Sequence, residues 1–416
     1  MTTAPYDAIL FASFGGPEGQ DDVIPFLRNV TAGRGVPDER LEEVAGHYRA
    51  LGGRSPINAQ NRALIAALEQ ELASRSVDLP IYFGNRNWAP YTAEALQTLH
   101  ADGHRRVLAL VTSAYSSYSG CRQYREDFAR RLDETGLLGE VAIEKSRSYF
   151  NHPGFLDPVV DGVREAIADL ARDGHDSHDV RVLFSTHSIP LAMNDASGPT
   201  GEGDWYVRQH LAACRYVMDQ LHDDLPHLPE WELVYQSRSG APHVPWLEPD
   251  VNDVIERVHA EEQAEAVIVV PIGFVTDHVE VIWDLDTEAK ETAEEQGLAF
   301  RRVATSGTDP RFVAALADIV QEHLDPSRER IAVTELGPVE DVCGHNCCQV
   351  NASRAVPAEQ DVDTLEQIAA HLREQQAERA GWTRATAPAG AAQAEAAAPA
   401  EASAPAGTST PAGAFS

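Results

Sequence analysis

The sequence predicts an α/β fold made of two similar units, each a parallel sheet covered by helices. Three observations predict it. Short β-branched runs alternate with amphipathic helical stretches along most of the 416 residues, the pattern of parallel strands covered by helices. Six such runs, at 8–14, 80–84, 107–115, 180–186, 232–236 and 266–275, are followed by small or polar residues. The third observation is an internal echo. Leu10-Phe-Ala-Ser-Phe-Gly, Ile81-Tyr-Phe-Gly-Asn-Arg and Val107-Leu-Ala-Leu-Val-Thr-Ser in the first half are answered by Leu183-Phe-Ser-Thr-His-Ser, Leu233-Val-Tyr-Gln-Ser-Arg and Val267-Ile-Val-Val-Pro-Ile-Gly in the second. Two units of roughly 150 residues follow, 1–150 and 151–330, meeting near 146–161.

In chain order, the run 8–14 is too short, and lacks the basic flank, for a signal peptide, so it is read as a strand. The runs 80–84 and 107–115 complete the first unit. The run 180–186 ends at His187-Ser-Ile-Pro, and 207–221 reads as a helix that carries Cys214 among small residues. After 232–236 and 266–275 comes Thr276-Asp-His-Val-Glu280, which opens another helical stretch. Beyond 330 the pattern changes. A cysteine-bearing segment spans 331–351, a polar helix with Leu365, Ile368 and Leu372 at helical spacing is expected within 352–382, and 383–416 is nearly all Ala, Pro, Gly, Ser, Thr and Glu. That last stretch has nothing large to bury and is expected to be a disordered tail without chemistry.

Composition excludes several functions. With 65 acidic against 33 basic residues the net charge is -32, so attraction to nucleic-acid phosphates or to anionic lipid is not expected. No run approaches the ~18 apolar residues of a membrane span. Five cysteines, unevenly placed, do not make a disulfide framework, so a reducing cytoplasm is expected.

Ligands of open α/β sheets sit beyond the carboxyl ends of the strands. Two strand exits of the second unit offer His187 and Glu280 to one crevice, and an imidazole with a carboxylate is an open site for a divalent metal such as Fe(II), Co(II) or Zn(II), or an acid/base pair without metal. If the stretch after Glu280 is helical, Glu280, Asp284 and Glu288 form a row about 12 Å long on one face. Val281, Ile282 and Leu285 would anchor the other face. Each like-charge i,i+4 pair costs such a helix about 0.2–0.5 kcal/mol, so a solvated face is one reading of the row. A cleft that raises carboxylate pKa values and attracts cations is the other.

Phe184-Ser-Thr-His-Ser-Ile-Pro, Gly273-Phe-Val-Thr-Asp-His-Val-Glu, Leu51-Gly-Gly-Arg-Ser-Pro-Ile, Val234-Tyr-Gln-Ser-Arg-Ser-Gly and Pro245-Trp-Leu-Glu-Pro-Asp, in this order and spread over residues 5–330, together resemble the ferrochelatases. The resemblance implies two Rossmann-like domains around a porphyrin cleft, and insertion of Fe(II) into a porphyrin for haem biosynthesis. It implies that His187 and Glu280 are catalytic and hold the metal, His187 as base or as ligand, with Asp284 and Glu288 continuing as a carboxylate ladder. Porphyrin-contacting positions fall on Ser55 and Tyr124. One position departs from the pattern: some bacterial members have a Tyr where Phe14 stands in Phe11-Ala-Ser-Phe-Gly-Gly-Pro, so no phenolate is available from that side.

An anionic porphyrin needs local positive charge in so acidic a chain. Arg34, Arg54, Arg86, Arg122 and Arg238 lie in or beside the matched loops and are candidates for its propionates. Trp88, Tyr115, Tyr118 and Tyr124 are candidates for flat walls. The cysteine-bearing tail resembles actinobacterial members, whose substrate is coproporphyrin III. Protoporphyrin IX, another tetrapyrrole or metal of a same-fold chelatase, and a non-enzymatic carrier are the alternatives. Cys343-Gly-His-Asn-Cys347-Cys348 fits neither ferredoxin nor zinc-finger spacing. The resemblance implies a [2Fe-2S] cluster on Cys343, Cys347, Cys348 and an internal cysteine, Cys121 in preference to Cys214. It further implies a monomer that passes its product to a coprohaem decarboxylase.

Overall fold

A computed structural model describes residues 5–386 except 34, 200–201, 240–242, 262–263, 342–343, 345 and 351–363. The chain divides into two units at Ala370. The first holds two four-stranded parallel sheets. Strands β1 (Ala8–Ser13), β2 (Ile81–Asn85), β3 (Arg106–Val111) and β4 (Ala142–Lys145) lie in the order β2-β1-β3-β4. Strands β5 (Val180–His187), β6 (Glu230–Gln236), β7 (Ala266–Val270) and β8 (Ala299–Arg302) repeat it as β6-β5-β7-β8. The expected pair of doubly wound parallel sheets is thus observed. In each, the chain leaves its first strand to one side and later returns on the other, so switch points fall between β1 and β3 and between β5 and β7.

Alternation explains why these runs are apolar throughout. Along β1, Ile9 and Phe11 join a large core with Leu108 and Leu110, and this core continues through Val182, Phe184, Ile268 and Val270 of the second sheet. Leu10 and Ala12 face the other way, onto Leu96, Leu99 and Phe128. Leu183, Val267 and Val269 likewise face Val254, Ile255 and Leu285. Side chains of period two, buried on both faces, need unbroken hydrophobic sequence. Two helices close the shared core, Pro153–Asp173 and Pro310–Leu324. They approach closely at Gly154, where a Cβ would sit 2.2 Å from Arg311 O.

Three strands are shorter than the runs suggested. β7 stops at Val270 rather than 275 because Pro271 has no N–H to donate and Ile272 N–H turns back to Val270 O at 2.7 Å. β1 and β3 end at Ser13 and Val111. The helix expected within 352–382 is observed as Leu365–Thr386 and so includes 383–386, assigned above to the tail. Residues 352–363 and 387–416 lie outside the described residues. Among the described residues no helix is long and apolar enough to cross a membrane.

The chain after the last core helix folds back on β4. Arg147, fully buried, donates to Glu322 at 2.7 and 2.9 Å and to Ile331 O at 3.0 Å. His323 sits between Asp341, 3.0 Å from Nε2, and Glu144, 3.6 Å from Nδ1, with Tyr6 Oη 3.4 Å away. Arg330 pairs with Asp341 as well. Burial alone would push the His323 pKa down, but hydrogen bonds and charge from Asp341 and Glu144 outweigh it and raise it from 6.5 to about 9.

A folded-state pKa above the unfolded one stabilises the protein wherever the imidazole is protonated. The contribution, on the order of 3 kcal/mol, should be fully present below pH 6.5 and lost as pH rises through about 9. Denaturant unfolding should therefore show His323→Gln costing much more stability at pH 6 than at pH 10; an equal cost at both would contradict the linkage.

Candidate active site

His187 is the last residue of β5, at the switch point of the second sheet. Its backbone is fixed on both sides: Tyr206 Oη donates to His187 O at 2.9 Å, and Ser188 N–H donates to Gln236 O at 2.8 Å. The loop after β7 can lie against this strand end because residue 273 is glycine; a Cβ there would be 2.1 Å from Thr186 Oγ1. His187 Nδ1 is 2.5 Å from Ser188 O. A carbonyl only accepts, so Nδ1 carries the proton, and Nε2 faces Glu280 at 3.7 Å. Both side chains are open to solvent, 36% for His187 and 42% for Glu280. The two sequence-predicted residues are therefore brought together.

The segment carrying Glu280 is not the simple α-helix expected. A short turn, Val279–Val281, is capped by His278, whose Nδ1 accepts from Val281 N–H at 3.4 Å. Burial pushes the His278 imidazole down, with Glu280 opposing. A π-helix then runs Ile282–Ala289, followed by the α-helix Lys290–Glu295. The reason is in the apolar side. Val281, Leu285, Ala289 and Ala293 are all fully buried, a strict four-residue period. An α-helix overshoots a full turn by the fourth residue, whereas the wider i→i+5 turn falls short of it. Joining the two keeps the buried row straight, and with it the row Glu280, Asp284, Glu288. Ile282, expected among the anchors, is instead half-buried, and Ala289 takes its place.

Asp284 sits deepest in this row. It accepts from Gln236 Nε2 at 3.1 Å and from the hydroxyl of Ser237, both at the exit of β6. Ser237 has φ +60°, a left-handed conformation that non-glycine residues adopt rarely. Burial raises Asp284 to about 7; Glu280 and Glu288 add to the rise and the Ser237 and Gln236 bonds oppose it. Glu288, farther out, accepts from Trp283 Nε1 at 2.8 Å, and the Trp283 ring stacks on His47 with centroids 4.4 Å apart. Tyr48, on the same helix as His47, is buried; burial and the charges of Glu280 and Asp284 keep its phenol protonated. Gln236, Ser237, His278 and Tyr48 were not singled out from sequence as site residues. The four-residue apolar period was the signal that could have revealed the π-helix.

The first unit places its predicted residues differently. Ser55 is buried; its N–H donates to Pro17 O at 2.9 Å, and it lies against Gly16, where a Cβ would come 2.6 Å from Ser55 Cβ. Tyr124 is only 3% exposed and is covered by Arg86, whose guanidinium carbon lies 4.9 Å from the Tyr124 ring and 5.7 Å from that of Phe14. Phe14 is the exposed aromatic here, at 38%. Tyr115 is no wall: it is buried, stacks on His210 at 3.6 Å and donates to Ile272 O at 3.0 Å. Trp88 packs edge-on to Phe26, and Tyr118 donates to Glu126 at 2.9 Å. Arg122 is buried against Glu126 at 3.2 Å, Arg238 pairs with Glu248 at 3.3 Å, and Arg34 lies outside the described residues.

The adjacent Cys347 and Cys348 meet the remote Cys121 elsewhere. Cys347 Sγ is 3.5 Å from Cys348 Sγ and 2.8 Å from Gly198 O, while Cys348 Sγ accepts from Gly198 N–H at 3.2 Å. Contact with Cys121 and Cys347 pulls the Cys348 thiol well below its ordinary range against the effect of burial, with help from Gly198 N–H and Lys145. Asn346 and Cys348 both have positive φ, 60° and 53°, which turns neighbouring thiols to one side. Cys214 is fully buried in the helix Trp205–Asp219 and burial pushes its thiol up. Cys343 lies outside the described residues.

A family model described as ferrochelatase matches residues 6–324. The coproporphyrin III ferrochelatase of Leifsonia xyli subsp. xyli is 56% identical over 358 residues, 83% of this chain and 91% of that one. That of Streptomyces griseus subsp. griseus is 52% identical over 367 residues, 86% and 97% of the two chains. A ferrochelatase of Rhodopirellula baltica is 48% identical over 344 residues, 83% and 93% of the two chains. With the family model spanning both sheets and relatives matched over nearly their whole length, this chain belongs to the ferrochelatase family.

Proposed function

We propose that this chain inserts Fe(II) into coproporphyrin III, giving iron coproporphyrin III in haem biosynthesis. The observation that carries the reading is the open His187 and Glu280 pair, Nε2 to carboxylate 3.7 Å, at a sheet switch point and backed by the half-buried carboxylate of Asp284. Its relatives named for coproporphyrin III support the choice of porphyrin.

Metallation replaces two pyrrole protons by one Fe(II), and both protons must leave. His187 Nε2, the acceptor nitrogen of its ring, takes a pyrrole proton or meets the iron. Glu280 accepts the second proton or holds the metal on the same side, and Asp284, poised near neutrality, passes protons outward and metal inward with Glu288. Gln236 and Ser237 hold the Asp284 carboxylate while it does so. In the first unit Phe14 offers an exposed face to the macrocycle and Arg86 a guanidinium to a propionate, with Tyr124 supporting Arg86 from beneath. Ser55 shapes the neighbouring loop. On this reading residues 1–150 chiefly bind porphyrin and 151–330 chiefly deliver metal.

The proposal includes a [2Fe-2S] cluster on Cys121, Cys347, Cys348 and Cys343. Such a cluster needs four thiolates, and what supports it is the convergence of Cys121, Cys347 and Cys348 beside Lys145 and a backbone N–H, with one thiol already favouring its anion. When bound, the cluster would supply an oxidant-sensitive redox centre that ties the loop of Cys121 to the segment after 341. The reading extends to a cytoplasmic monomer whose product goes to a coprohaem decarboxylase.

Replacing His187 by Ala should lower iron insertion by a factor on the order of 10³ while porphyrin binding, followed by absorbance titration, is retained. Anaerobic kcat/KM should be higher for coproporphyrin III than for protoporphyrin IX; the reverse order would exchange the substrate assignment. Anaerobically purified protein should contain acid-labile sulfide and visible charge-transfer absorption that Cys121→Ser removes and Cys214→Ser does not.

A further inference from the structure

Arg302, at the end of β8, touches neither His187 nor Glu280, yet it grips the segment that carries Glu280 at two points. Its Nε and Nη2 donate to the two oxygens of Asp286 at 2.6 and 3.0 Å, a bidentate fork, and its Nη1 donates to Asp277 Oδ1 at 3.1 Å. Asp277 precedes Glu280 by three residues and Asp286 follows Asp284 by two, so one guanidinium closes a loop around both carboxylates. The guanidinium is shielded, with 16% of the Arg302 side chain exposed against 19% for Asp277 and 35% for Asp286. From the other side, Asp277 N–H donates to Gln60 Oε1 at 2.8 Å, on the helix Ile57–Ser74 that begins two residues after Ser55. A π-helical turn holds more residues than an α-helical one. Relaxation of Ile282–Ala289 to α-helix would therefore lengthen the segment and draw Asp286 away from Asp277.

We propose that Arg302 is a positioning residue for metal insertion: by holding Asp277 and Asp286 together it keeps Ile282–Ala289 in its wide-turn register and so keeps Glu280 and Asp284 in line with His187. The inference rests on the reading of Glu280 and Asp284 as the path of the iron. Lysine keeps the charge at this place but cannot fork to two carboxylates, so charge alone should not suffice.

The test compares three variants with the wild-type chain in anaerobic steady-state assays with Fe(II) and coproporphyrin III: Arg302→Lys, the triple variant Arg302→Leu with Asp277→Asn and Asp286→Asn, and Asp284→Asn. The triple variant removes the clamp without leaving a buried charge unpaired. Both clamp variants should fold by circular dichroism and raise KM for Fe(II) by about 10-fold or more, the usual cost of losing a residue that orients a metal ligand, with KM for the porphyrin within about twofold. An unchanged iron KM in either folded variant, a parallel rise in both KM values, or failure of both clamp variants to fold overturns the proposal. Asp284→Asn separates the two levels. If it too leaves the iron KM unchanged, the reading of the carboxylate row fails; if it raises that KM while a folded clamp variant does not, the positioning role alone fails.

Discussion

Val281, Leu285, Ala289 and Ala293 must all be buried against the second sheet, and a helix obliged to bury every fourth residue cannot hold a regular α-helical turn over that length. The wide turn that results is a packing solution on the apolar side of the segment. On its polar side the same turn lines up Glu280, Asp284 and Glu288. Like charges in a row repel, and the structure answers with specific partners: Ser237 and Gln236 on Asp284, Trp283 on Glu288, and the shielded phenol of Tyr48 nearby. The chemistry of the site therefore depends on where four small or branched apolar residues are required to go.

Much of the fold was legible because both sheets are buried on both faces, so their strands announce themselves as unbroken apolar runs. Strand ends were less legible: hydrophobicity continues through Pro271 and Ile272 after the ladder hydrogen bonds have stopped. At the site, His187 could be found because it ends a recognisable strand, and Glu280 because it lies in the first helical turn after another. Ser237, Gln236 and Arg302 could not, since their partners lie 48 or fewer residues away along the chain but are joined only through the folded sheet. The convergence of Cys121 with Cys348 is longer-ranged still and has no periodic signal at all.

The net charge of -32 conceals a division of labour. On the proposed reading, the balance around the second switch point is anionic, the setting that draws a divalent cation inward. Around the first, Arg86 spreads over Phe14 and Tyr124, a cationic and aromatic surface suited to a flat molecule edged with carboxylates. Solvated carboxylates elsewhere contribute little to either, since separation and salt screen them. On that reading local geometry, rather than the total, decides where each substrate binds.

The buried guanidinium of Arg147 has a consequence for the order of synthesis. Its partners, Glu322 and Ile331 O, lie at least 175 residues downstream, and an unpaired charge at that depth would cost roughly 3–5 kcal/mol. Domains usually complete themselves from the N-terminus as the chain emerges from the ribosome. Here the first sheet has its strands by Lys145 but no counterion for its edge until the second sheet has been made. Two halves that look like separate repeats are thus obliged to finish together, because the seat of Arg147 is completed only by Glu322 and the backbone at Ile331.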